Sequence, residues 1–123
     1  LRDQSEETTD ALGQALAQTL KGHNALLVAS TDLSHFHSQE TARELDGEFL
    51  RRLENYDPAG LLRGEKEGKT AACGRVAVAT VLWAGKHLGA DSVNVLEYAT
   101  SGDVTGDFSR VVGYGSAVIT RSQ

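Results

Sequence analysis

Apolar and polar positions along the chain follow two rhythms. Between residues 5 and 21, Leu12, Ala15, Leu16 and Leu20 recur at helical spacing, and Glu6, Glu7 and Asp10 stand near the start, where the helix dipole favours acids. The pattern predicts an amphipathic helix ended by Gly22. Ser38 can cap a second helix in which Ala42, Leu45, Phe49, Leu50 and Leu53 make one apolar stripe, weakened but not ended by Gly47. Asp57-Pro58 sets an N-cap before a proline at the first helical position, so a short helix follows from Ala59 to about Glu65. From Arg75 to Leu88 the residues Val76, Val78, Val81, Leu82 and Trp83 leave almost no polar face. With Gly89 after Lys86-His87-Leu88, the segment predicts a buried helix.

The other rhythm belongs to strands. Ala25-Leu26-Leu27-Val28-Ala29 is continuously apolar, short and flanked by turn formers, as in a strand of a parallel sheet covered on both faces. Ser92 to Ala99 and Arg110 to Thr120 are rich in Val, Tyr and Ile and predict two more strands, joined by the turn-rich segment 101–107. The expected fold is α/β: part of a three-layer arrangement with helices flanking a mixed sheet, in which one parallel strand is followed by a C-terminal antiparallel pair.

Composition narrows the function. A chain of 123 residues with 40% hydrophobic residues can fill one core and not two. The net charge is −5, and the 12 Lys and Arg form no run able to track a phosphate backbone, so nucleic acid is not an expected partner. Neither Ala25–Ala29 nor Val76–Ala84 approaches the ~20 residues needed to cross a bilayer, so no membrane is expected either. The sequence opens at Leu1 without a signal-like segment and contains no methionine, which suggests an internal piece of a longer protein. With a single cysteine there is no internal disulfide, and the cytoplasm is the default compartment.

Chemistry concentrates after the first apolar run. Asp32-Leu33-Ser34-His35 lies at the expected carboxyl end of a strand, where open α/β sheets hold their ligands. A carboxylate and an imidazole at this spacing can converge on one ion, and the mixture suits iron, zinc or copper. The same spacing also occurs as a helix cap with a surface histidine. His37 is expected to face solvent or to stand behind the site. Cys73 opens the buried helix, where the helix N-terminus and Arg75 both favour thiolate; a lone cysteine can equally be a small buried hydrophobe. Gly74 permits close backbone approach, and Arg75 can meet either an anionic ligand or an acid on its own face. Asp103 and Asp107 lack the alternating spacing of a calcium loop.

Three segments, in order, resemble the Memo family, known in prokaryotes as protein B of the AmmeMemoRadiSam system. They are Val28-Ala29-Ser30-Thr31-Asp32-Leu33-Ser34-His35, Ala72-Cys73-Gly74-Arg75, and Tyr98-Ala99-Thr100-Ser101-Gly102-Asp103 running on to Val111-Val112-Gly113-Tyr114. The resemblance spans roughly residues 24 to 120. It implies an α/β fold similar to class III extradiol dioxygenases, with Asp32, His35 and Cys73 matching positions that line a metal pocket. It also implies that residues 1–123 are the C-terminal portion of one Memo-like domain, whose missing N-terminal half completes the site. Iron or copper is the suspected cofactor. The functions implied are a metal-binding protein acting as a non-heme iron, dioxygenase-like redox enzyme, a non-catalytic protein binding a small molecule or peptide, or a protein that sequesters iron or copper.

Overall fold

The structure is a computed structural model that describes residues 5–122. Its order is α1 (Glu6–Leu20), β1 (His35–His37), α2 (Gln39–Glu54), α3 (Pro58–Lys66), α4 (Arg75–His87), β2 (Ser92–Thr100), α5 (Gly102–Thr105) and β3 (Val111–Thr120). The α/β class is as expected. The helix caps form where the sequence places them: the Ser38 side chain accepts from Thr41 N–H, and the Asp57 side chain accepts from Gly60 N–H ahead of Pro58.

The sheet has the order β1-β3-β2 and is antiparallel throughout. Helix α2 packs across it, burying Ala42, Phe49 and Leu53 against a core that includes Leu33, Leu61, Leu82 and Val93. Burial of a side chain as large as Phe49 contributes about 2–3 kcal/mol. Helices α1 and α3 pack on α4. The inward seam of α1 is Thr9, Gly13 and Ala17, one helical row; the leucines expected to lead it lie to the side, with Leu12 36% exposed. Gly13 explains the choice, because a Cβ there would stand 2.6 Å from Trp83 Cβ. Two small residues let α1 and α4 approach more closely than leucines would.

Two expectations about the sheet are corrected. Ala25–Ala29 is not a strand, and among the described residues it makes no backbone ladder; Leu26 is 87% exposed. A fully apolar run becomes a central strand only if backbone lies on its flanks, and none of the described residues supplies it. Among the described residues the sheet therefore has no parallel strand, and its outer face, bearing Asn94, Glu97, Tyr114 and Val118, is exposed, with no third layer over it. The second correction is β1, a three-residue strand that sequence periodicity does not reveal. His35 pairs with Val112 and His37 with Val111, so Phe36 is an extra residue bulged out between them with φ of 64°. The connection 101–107 holds a single helical turn, α5. Among the described residues no helix is long and apolar enough to cross a membrane.

Candidate functional site

The loop 30–34 crosses from the exposed apolar run to β1 and is held at two points. At its start, Thr31 Oγ1 accepts the Gly74 N–H at 2.7 Å and donates to the Asp32 carbonyl at 2.7 Å. This ties the loop to the N-terminal end of α4. Gly74 is required there, since a Cβ would stand 2.5 Å from Thr31 Cβ, as the expected close approach implies. Further on, Leu33 is buried; its N–H donates to Gly113 O, and Gly113 N–H donates to Ser34 O, both at 2.9 Å.

With Leu33 and Ser34 buried, the flanking residues Asp32 and His35 project outward. His35 Nε2 lies 3.3 Å from Asp32 Oδ2, and the two side chains remain 39% and 50% exposed. Carboxylate and imidazole thus converge on one spot. His35 is not on the loop itself, as expected from sequence, but is the first residue of β1. Its ring lies 5.7 Å from that of Phe36, which Arg110 covers at 5.1 Å.

Cys73 is an exposed free thiol. Although 41 positions from Asp32 in sequence, its Sγ comes within 3.8 Å of the Asp32 carbonyl oxygen and 3.6 Å of Thr31 Oγ1. It meets the loop at the Asp32 carbonyl and the Thr31 hydroxyl. Arg75 pairs with Glu65. His87 bonds Asp10 at 2.7 Å, joining the end of α4 to α1. His37 is exposed on β1. Asp103 accepts from Thr100 N–H and Asp107 from the Ser109 N–H and hydroxyl, so both carboxylates serve turns.

One residue here escaped sequence reasoning. Asp46 lies on the inward row of α2 with Ala42, Phe49 and Leu53, and is 1% exposed. Its carboxylate accepts from Ser34 N–H at 2.8 Å, Ser34 Oγ at 3.0 Å and the Tyr98 hydroxyl at 2.6 Å. Burial and the Asp46 carboxylate together push the Tyr98 phenol well above its ordinary value. An acid among the apolar positions of a helix was the available signal.

An apolar cleft of about 720 Å³ runs beside the loop. Leu27, Ala29, Phe49 and Ile119 line it, together with Thr31 and Leu33, the sequence neighbours of Asp32. Among the described residues, no group of three or more His, Cys, Asp or Glu is arranged to hold a metal ion. Asp32 and His35 bring one carboxylate oxygen and one ring nitrogen to the same spot. Cys73, facing the loop's main chain, does not complete a third with them.

The family profile described as Memo-like protein matches residues 1–118. The chain belongs to the Memo-like family. It is 40% identical over 116 residues to a MEMO1 family protein of Nitrosopumilus maritimus, covering 94% of this chain and 42% of that relative. A MEMO1 family protein of Methanosarcina mazei is 35% identical over 118 residues, covering 94% and 44%. One of Methanothermobacter thermautotrophicus is 39% identical over 113 residues, covering 90% and 41%. This Memo-like chain therefore spans less than half the length of the curated relatives it matches.

Proposed function

We propose that this Memo-like chain contributes one wall and part of the donor set of a metal pocket, as the C-terminal portion of a single domain whose remaining donors come from the rest of the polypeptide. The observation that carries the proposal is the convergence of Asp32 Oδ2 and His35 Nε2 at 3.3 Å, on a loop pinned at Thr31 and at Leu33-Ser34. In water, two exposed side chains gain little from pairing with each other. Their fixed position makes more sense as preparation for a shared cation. Asp32 would supply negative charge and His35 a neutral nitrogen, a borderline set that suits iron or copper. Cys73 would lie at the margin of the site, against the Asp32 carbonyl. Iron held there would supply a redox-active centre with open coordination positions, the basis for a dioxygenase-like activity.

A non-catalytic reading draws on the cleft. About 720 Å³ of apolar space, lined in part by Thr31 and Leu33 next to Asp32 in sequence, suits a small apolar ligand or peptide side chain. The test uses the complete polypeptide, at the relatives' length, purified without added metal. Metal analysis of the unaltered protein and of Asp32→Ala, His35→Ala and Cys73→Ala is followed by oxygen consumption with catechol-like compounds. Reduced metal content in the first two variants supports the donor pair, and unchanged content in both refutes it. Stoichiometric metal without oxygen uptake shifts the conclusion from redox catalysis to binding or sequestration.

A further inference from the structure

We infer that Asp46 is a positioning residue: from the core, it sets the separation of Asp32 and His35 by clamping the two residues between them. The inference rests on the proposed donor pair. A leucine at position 46 would continue the row of Ala42, Phe49 and Leu53, and apolar replacement of buried charged groups is often neutral or stabilising. An acid there needs another explanation. Its oxygens take both donors of Ser34, the N–H at 2.8 Å and the hydroxyl at 3.0 Å, while the Ser34 carbonyl accepts from Gly113 N–H at 2.9 Å. Every polar group of Ser34 is thereby engaged.

Three elements are shaped around that carboxylate. α2 carries it, β2 offers the Tyr98 hydroxyl at 2.6 Å, and β3 leaves room for it with Gly113, where any Cβ would overlap Asp46 Oδ2. Leu33 and Ser34 are held from inside on the sheet side and the helix side. Asp32 and His35 stand directly before and after them: the Asp32 carbonyl accepts from Thr31 Oγ1 and His35 pairs with Val112, but among the described residues neither side chain has a hydrogen-bond partner beyond the other. Their 3.3 Å approach thus depends on the buried pair.

The experiment compares the complete polypeptide with its Asp46→Asn and Tyr98→Phe variants by two measurements. Amide hydrogen exchange at Ser34 reads the clamp: Asp46→Asn is expected to lower its protection about tenfold, the worth of one strong hydrogen bond, while amides of 78–84 in α4 keep theirs. A cobalt(II) titration followed by visible absorption reads the consequence. Affinity should fall about 10- to 100-fold, as when the groups holding metal ligands from behind are removed, with a changed band shape from the altered donor geometry. Tyr98→Phe leaves Ser34 bonded to Asp46 and should give a smaller change in the same direction. Unchanged Ser34 protection overturns the inference, as does loosened Ser34 with unaltered cobalt binding, or loss of protection throughout α4. The donor pair fails separately, if cobalt binds equally well to Asp32→Ala and His35→Ala; Ser34 exchange alone then decides whether Asp46 clamps the loop.

Discussion

Replacing Gly74 by alanine attacks the contact that ties the 30–34 loop to α4. The backbone at 74 has φ −97° and ψ 23°, open to any residue, so the cost comes from contact and not from conformation. The added Cβ would lie 2.5 Å from Thr31 Cβ, 2.7 Å from Thr31 Oγ1 and 3.0 Å from Ser30 O, and two of these neighbours belong to a stiff β-branched side chain. Relief requires the loop to withdraw by about an ångström, which breaks the 2.7 Å bond from Gly74 N–H to Thr31 Oγ1. The lost hydrogen bond costs about 1 kcal/mol and the overpacking about 1–3 kcal/mol, so the variant should be about 2–4 kcal/mol less stable. That is a large part of a typical domain's 5–15 kcal/mol. Gly47→Ala is the control: nothing lies within 4 Å of its Cβ, and a glycine within exposed helix should gain about 0.5–1 kcal/mol on becoming alanine. Urea unfolding of the two variants should move the midpoint in opposite directions. An unshifted midpoint for Gly74→Ala refutes the close-contact argument.

Phe49→Ala, at a position 2% exposed, should cost about 3–5 kcal/mol by urea unfolding, whereas Leu12→Ala, 36% exposed, should cost under about 1 kcal/mol. The Arg51 and Arg52 guanidiniums hold the Glu48 carboxyl down at about 2, below its ordinary 4.5, so its contribution is full above pH 4.5 and lost as pH falls towards 2. Glu48→Gln should flatten that acid limb of the stability profile; an identical slope in the variant counts against the pairing. Burial pushes the Tyr56 phenol up to about 12, so its share of stability is full below pH 10 and declines as pH rises towards 12. Tyr56→Phe should remove a late phenolate step from the ultraviolet titration and, by losing the 2.6 Å bond to Leu82 O, cost about 1 kcal/mol.

What the sequence revealed was what short stretches decide among themselves. The Ser38 and Asp57-Pro58 caps, the helix 75–87 and the paired strands β2 and β3 depend on neighbours within a turn or a long apolar alternation. Asp32 and His35 were legible as a pair because three positions of separation leave few ways to avoid each other. Ala25–Ala29 misled because an apolar run records a wish for cover, while strand formation needs another backbone beside it. β1 is three exposed residues with a bulge, too short for any period to register. The clamp at Asp46 joins residues from positions 34, 46, 98 and 113, and only the folded arrangement brings them together.

The edges of the sheet have a consequence for self-association. Both outer strands carry an irregularity, at Phe36 between two residues of β1 and at Leu96 where the pairing of β2 with β3 slips, and both bulged side chains are 63% exposed. A bulge kinks the row of free amides and carbonyls, so an incoming chain cannot continue the ladder in register. The uncharged stretch from Ala25 to Ala29 carries no such bulge, with Val28 75% exposed. Backbone pairing with a second chain is therefore expected at that stretch before the sheet edges, and a lysine at position 26 or 28 should weaken it.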